Sequence, residues 1–184
     1  MKKCRIIAGA LKRRYIMAPD TPSTRPTSDI VKQAIFNVLI HRFCVNFGNT
    51  FVIDLFAGSG SLGIEAISLG CKHVLFVDSN KQAIDCIRQN IQSLQIERFS
   101  TTICHSAEKV PDNILVTFGE NYSDILVFLD PPYAKKELLY RQIVRFSELF
   151  KDKKLTIIAE SDEEYTNATC VLQHGNTKVN ILCI

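Results

Sequence analysis

Long apolar runs, paired cysteines and acidic residues near the start are all scarce in this sequence, and each scarcity removes a class of function. No apolar stretch approaches the roughly 20 residues that span a bilayer. No signal-peptide pattern opens the chain, so a cytoplasmic protein with no membrane partner is expected. The seven cysteines (Cys4, Cys44, Cys71, Cys86, Cys104, Cys170 and Cys183) are odd in number and scattered. None stands in a C-x-x-C pair or beside a histidine at zinc-ligand spacing, so no metal site is expected. Most fall in apolar runs, where cysteine acts as a small hydrophobe, and reduced core thiols are expected. His41, His73, His105 and His174 show no pairing with serine or cysteine of the kind a hydrolase needs. Repeats and low-complexity tracts are absent as well.

Acid is scarcest at the front. Residues 1–25 hold Lys2, Lys3, Arg5, Lys12, Arg13, Arg14 and Arg25 against one acid, Asp20. The net charge of +3 is therefore a basic arm on a mildly acidic body, which favours a polyanionic partner such as nucleic acid.

What is present suits one full core, with 184 residues of which 46% are apolar and 22% charged. Cys4–Ala8 and Tyr15–Met17 read as a small basic hairpin, followed by a proline-rich connector over residues 18–26. Residues 1–26 thus form an extension, and residues 27–184 the main domain. Thr27 is the expected cap of a helix carrying Val31, Ala34, Ile35, Val38 and Leu39 at helical spacing. From residue 50 strands and helices alternate: strands at Phe51–Ile53, His73–Val77, Phe99–Cys104, Ile125–Leu129 and Leu155–Ala159, with helices at Leu62–Leu69, from Ser79 or Asn80 to Leu94, and Glu137–Leu149. A short helix at Ala107–Val110 is expected to break at Pro111. Thr169–Leu172 and Val179–Cys183 form a final hairpin. The pattern predicts an α/β fold: a doubly wound, mostly parallel seven-stranded sheet with an antiparallel C-terminal hairpin and the small N-terminal hairpin.

Two stretches carry chemistry. Gly58, Gly60 and Gly63 match G-x-G-x-x-G between a strand and a helix, and Asp78 ends the next strand about 20 residues on, where a ribose-binding acid is expected. Asp54, just ahead of this turn, would repel a dinucleotide's phosphates and suits a cationic ligand without them. S-adenosylmethionine, with its ammonium, sulfonium and adenosine, fits Asp54 and Asp78 together. The second stretch is Asp130-Pro131-Pro132-Tyr133, stopping an unbroken apolar strand. An exocyclic amine conjugated to a base is a poor nucleophile. Acceptors such as the Asp130 carboxylate and the Pro131 carbonyl would favour its nucleophilic geometry and stabilise the positive charge that develops. The Tyr133 ring can stack on the base.

Asp54-x-Phe56-Ala57-Gly58-x-Gly60 followed by Asp130-Pro131-Pro132-Tyr133 resembles class I S-adenosylmethionine-dependent amino-methyltransferases. Arg5-Ile6-Ile7-Ala8-Gly9, Arg25-Pro26-Thr27-Ser28-Asp29 and Phe36-Asn37, in that order, narrow the resemblance to the RsmD family, which methylates the N2 amine of one guanine in bacterial 16S rRNA. The resemblance implies a Rossmann-like methyltransferase fold and a monomer acting on 16S rRNA or the small ribosomal subunit particle. It implies that Asp54, Phe56, Gly58 and Gly60 hold the methionine part of the cofactor, Asp78 and Ser79 its ribose side, and Ser106 and Ala107 its adenine. Asp130, Pro131 and Tyr133 would handle the target base, while Arg5, Lys12, Arg13, Arg14 and Arg25 would meet phosphates or, for Arg25, a carboxylate or the neighbouring Asp29. An adenine-N6 DNA or RNA methyltransferase and a non-catalytic RNA-binding assembly protein remain open from the residues alone. A nicotinamide-dependent oxidoreductase is disfavoured by Asp54.

Overall fold

The computed structural model describes residues 2–19, 28–131, 136–175 and 177–184. The strands are β1 (Lys2–Arg5), β2 (Tyr15–Ala18), β3 (Thr50–Asp54), β4 (His73–Asp78), β5 (Ser100–Cys104), β6 (Asp124–Leu129), β7 (Lys154–Ser161), β8 (Cys170–His174) and β9 (Thr177–Cys183). The helices are α1 (Asp29–His41), α2 (Ser61–Ser68), α3 (Lys81–Leu94), α4 (Asp112–Gly119) and α5 (Lys136–Leu149). Seven strands form one sheet in the order β5-β4-β3-β6-β7-β9-β8. The first five run parallel, while β9 lies antiparallel to β7 and β8 antiparallel to β9. This is the expected class I methyltransferase fold, with the C-terminal hairpin folded back so that its second strand joins the parallel block.

Strand alternation divides the core between the two faces. Val52, Val74, Phe76, Leu126, Phe128 and Ile158 face α1, α2 and α3. Their sequence neighbours Phe51, Ile53, Leu75, Val127 and Ile157 face α4 and α5. From β3 the chain steps outward to β4 and β5, then returns to β6 on the other side of β3. The reversal opens a crevice between the carboxyl ends of β3 and β6, the switch point where open α/β sheets bind ligands.

Three details depart from the sequence reading. The cap of α1 is Ser28, whose hydroxyl accepts from the Val31 N–H at 3.3 Å; the expected Thr27 lies outside the described residues. Residues 112–119 form α4, where the sequence pattern predicts only a helix break at Pro111. A proline at a helix start loses nothing, since its missing N–H would have no intrahelical partner there. Only Cys4, Cys71 and Cys86 of the cysteines are buried, so short apolar runs overstate core membership for the rest.

The N-terminal hairpin, β1 paired with β2, is fastened to the main sheet's helices by buried polar groups. Glu65 of α2 accepts from the Ile7 N–H at 2.8 Å and from Lys32 Nζ at 3.3 Å, and Lys32 also donates to the Arg5 carbonyl at 2.6 Å. Asn90 of α3 accepts from the Met17 N–H and donates to the Met17 carbonyl, both at 2.8 Å, as a neighbouring strand would. Gly9, with φ +74°, packs so closely on α2 that a Cβ there would lie 1.9 Å from the Ser68 carbonyl oxygen. That contact explains why the turn after β1 requires glycine.

Candidate active site

One acid ends each of four neighbouring strands: Asp78 on β4, Asp54 on β3, Asp130 just past β6, and Glu160 near the end of β7. Each follows by two residues an apolar side chain that faces α1, α2 and α3, namely Phe76, Val52, Phe128 and Ile158. With a side-chain period of two, all four positions belong to the same sheet face. The crevice therefore carries a row of carboxylates across the switch point.

The glycine turn is locked to this row. The Gly58 N–H donates to Asp78 Oδ2 at 2.8 Å, and the Asn80 N–H donates to Asp78 Oδ1 at 2.8 Å. Gly58 and Gly60 have φ of +52° and +75°, so the turn runs through left-handed conformations that favour glycine. Gly63 serves packing instead, since a Cβ there would come within 2.3 Å of the Phe76 ring. Asn90 donates to the Ser59 carbonyl at 3.3 Å, tying the same turn to α3. Phe56 is half-buried beside the turn, while Ser79 is exposed next to Asp78.

Asp54 is 3% exposed and accepts from the Gly63 N–H at 3.1 Å. That amide is one of the free N–H groups at the start of α2, so the carboxylate fills the place where a phosphate would dock. Asp54 is pushed up to about 7, chiefly by burial, with the Gly63 hydrogen bond acting against the rise and the Asp78 charge adding to it. The sequence predicts a negative charge at Asp54, suited to a cationic ligand. In the folded protein that charge is only partly present near neutrality and would be completed by a cation.

Asp130 is raised well above the ordinary carboxylate range, by burial first, then by Glu160 and Asp54. Glu160 is raised by burial. Asp130 and Glu160 follow the β6–β7 register pair Leu129 and Ala159, so they stand opposite one another on adjacent strands. Pro131 is half-buried after Asp130, and Tyr133 lies outside the described residues. Glu160 is not among the site residues that the sequence predicts. Its signal was there to read: Ala159-Glu160-Ser161 ends a parallel strand, as the other three acids do.

On the far side of Asp78, the His105 N–H donates to the Asp78 carbonyl at 2.9 Å and brings the turn after β5 alongside. Ser106 is half-buried there and Ala107 is buried. Arg145 of α5 holds this turn by donating to the Ala107 carbonyl at 2.9 Å and by pairing with Asp112. The basic residues of the hairpin divide into two groups. Arg5 pairs with Asp29 at 3.3 Å, and Arg14 donates to the Ser93 carbonyl at 2.8 Å. Lys12 and Arg13 are exposed, with no ion pair among the described residues. Arg25 lies outside the described residues, and the partner suggested for it, Asp29, is met by Arg5 and Lys32. Among the described residues no cluster of His, Cys, Asp and Glu is suited to a metal ion, and no helix is long and apolar enough to cross a membrane.

The protein is similar to "Putative rRNA methyltransferase YlbH" of Bacillus subtilis, with 37% identity over 163 residues that cover 87% of this chain and 83% of that one. It is 34% identical over 136 residues to "Ribosomal RNA small subunit methyltransferase D" of Haemophilus influenzae, covering 70% of this chain and 63% of that one. The chain thus spans a little under two thirds of the Haemophilus relative. In fold it is similar to an RNA methyltransferase from Salinibacter ruber in complex with S-adenosyl-L-homocysteine, with a TM-score of 0.60 at 11% identity, covering 87% of this chain and 94% of that one. The family model described as "Conserved hypothetical protein 95" matches residues 4–180, and the chain belongs to this family, the RsmD family.

Proposed function

We propose that the protein transfers a methyl group from S-adenosylmethionine to the N2 amine of a guanine in small-subunit (16S) rRNA. The observation that carries this reading is the row of strand-end carboxylates centred on Asp54 and Asp130. The names of the Bacillus and Haemophilus relatives and the ligand of the Salinibacter protein support the cofactor and the rRNA substrate. The donor set fits the cofactor chemically: the Asp54 carboxylate suits an ammonium, Asp78 keeps lone pairs for ribose hydroxyls, and the amide that would greet a pyrophosphate is taken by Asp54. Asp54, Phe56, Gly58, Gly60, Asp78, Ser79, Ser106 and Ala107 would hold it. The bound cofactor supplies an electrophilic methyl on a sulfonium, which leaves as a neutral thioether.

The remaining work belongs to side chains and carbonyls of this chain. Asp130 and the Pro131 carbonyl accept from the amine, turning its lone pair toward the methyl group. As the nitrogen–carbon bond forms, the nitrogen gains positive charge and then loses a proton. Asp130, whose proton affinity is raised by burial and by its acidic neighbours, is suited to receive it. Tyr133 stacks on the base. Lys12 and Arg13, with Arg5, Arg14 and Arg25, offset the acidic crevice and position the RNA through its phosphates. On this reading the protein works in the cytoplasm, as a monomer, on 16S rRNA or the small ribosomal subunit particle, with residues 1–26 as the RNA-facing extension of a methyltransferase domain at 27–184.

Asp130→Ala separates the roles. Calorimetry should find cofactor affinity within about threefold of wild type, while transfer falls at least 100-fold, the lower range for losing an acid–base group. A variant that keeps transferring methyl groups would remove Asp130 from the chemistry.

A further inference from the structure

Glu160 has no task in the reading above, and its position calls for one. It stands opposite Asp130 across the β6–β7 register, on the same sheet face. Neighbouring acids in the chain are paired: Asp162 and Glu163 with Lys136, and Glu164 with Lys178. Among the described residues neither Glu160 nor Asp130 meets a cation or a side-chain hydrogen-bond donor. A half-buried carboxylate with no partner among the described residues, set beside a second one, is characteristic of groups kept for a ligand.

We propose that Glu160 selects guanine, its carboxylate accepting from the ring N1–H while Asp130 accepts from the adjacent N2 amine. The inference rests on the guanine-N2 reading and extends it to the origin of base choice. A base taken out of its stack is read along its Watson–Crick edge. Guanine presents two neighbouring donors there, N1–H and the N2 amine. Adenine presents its amine beside N1, which carries a lone pair and no hydrogen. Two adjacent carboxylates match a pair of donors and set an acceptor against an acceptor when adenine enters. Backbones of paired strands lie about 5 Å apart, so neighbouring strand-end acids can address two atoms of one base edge.

The test uses 2-aminopurine, which keeps the reactive amine but has an N1 lone pair like adenine. Once the methylated position is mapped, rRNA carrying guanine or 2-aminopurine there is assembled into the same particle and methylated by wild type, Glu160→Gln and Glu160→Ala. Wild type should prefer guanine by at least tenfold in kcat/KM, in line with one lost base contact. Glu160→Gln, whose amide can donate to an N1 lone pair, should narrow that preference at least fivefold, and Glu160→Ala should narrow it too, with cofactor affinity unchanged in both. Wild type that methylates 2-aminopurine as fast as guanine overturns the inference without any variant. An unchanged preference in both variants also overturns it. Wild type that methylates adenine in the rRNA and leaves guanine untouched rejects the guanine-N2 reading itself, and the role of Glu160 with it.

Discussion

Asp54→Asn should make the free protein more stable and a poorer cofactor binder, and the two effects share one cause. Asp54 is almost fully buried, and its carboxyl sits at about 7 against 3.8 for an ordinary aspartate. The folded state therefore holds this proton more tightly than the unfolded chain does. The sign follows from linkage: wild-type stability from this group is fully present below about pH 4 and is lost as pH rises to about 7. Roughly three pH units at about 1.4 kcal/mol each set a ceiling of about 4 kcal/mol. Asparagine cannot ionise, yet its side-chain oxygen can still accept from the Gly63 N–H. Urea unfolding of both proteins at pH 4.5, 6, 7.5 and 8.5 should show the variant's advantage growing up to about pH 7 and then levelling off. S-adenosylmethionine should bind the variant about 10- to 100-fold more weakly, the range for losing one charge-assisted contact. In wild type, affinity should rise between pH 6 and 8 as Asp54 ionises. A stability difference that does not vary with pH would refute the buried-carboxyl account. Equal cofactor affinity in the two proteins would refute its role in binding.

Two further changes probe the frame around the site. Gly63→Ala places a methyl group 2.3 Å from the Phe76 ring and 2.8 Å from Val74 Cγ1, so overpacking should cost about 1–3 kcal/mol. Thermal unfolding should then fall by roughly 2–12 °C, and an unchanged midpoint would show that α2 can shift freely on β4. Replacing Lys12 and Arg13 together by alanine should weaken rRNA binding and reduce the salt slope by between about one and two. Arg14, bound to the Ser93 carbonyl, should contribute less when changed alone.

The sheet and most of the acid row could be read before folding because strands buried on both faces announce themselves. Ile125–Leu129 contains no polar residue, so the acid and prolines that stop it mark an edge. Asp54 and Asp78 were legible for the same reason, with glycines marking the turn between them. What could not be read were relations between distant residues. Nothing local in Glu160 shows that it will stand beside Asp130, because the pairing of β6 with β7 decides it. The proton affinity of Asp54 depends on burial and on Asp78, and neither is visible at position 54. The hairpin looked like a loose basic arm, since its charges are local while its anchors, Glu65, Ser68 and Asn90, lie some 55 to 75 residues away in sequence. Helix α4 was hidden by Pro111, where a residue that ends helices also starts them.

The central claim, methyl transfer to guanine N2, is tested most directly by the product. Small-subunit particles from a strain lacking this protein would be incubated with methyl-labelled S-adenosylmethionine and the purified protein, and the rRNA digested to nucleosides for mass spectrometry. The account predicts label in N2-methylguanosine at a single position, with none when Asp130→Ala replaces wild type. Label in N6-methyladenosine, or none with wild type on either free 16S rRNA or particles, would contradict it.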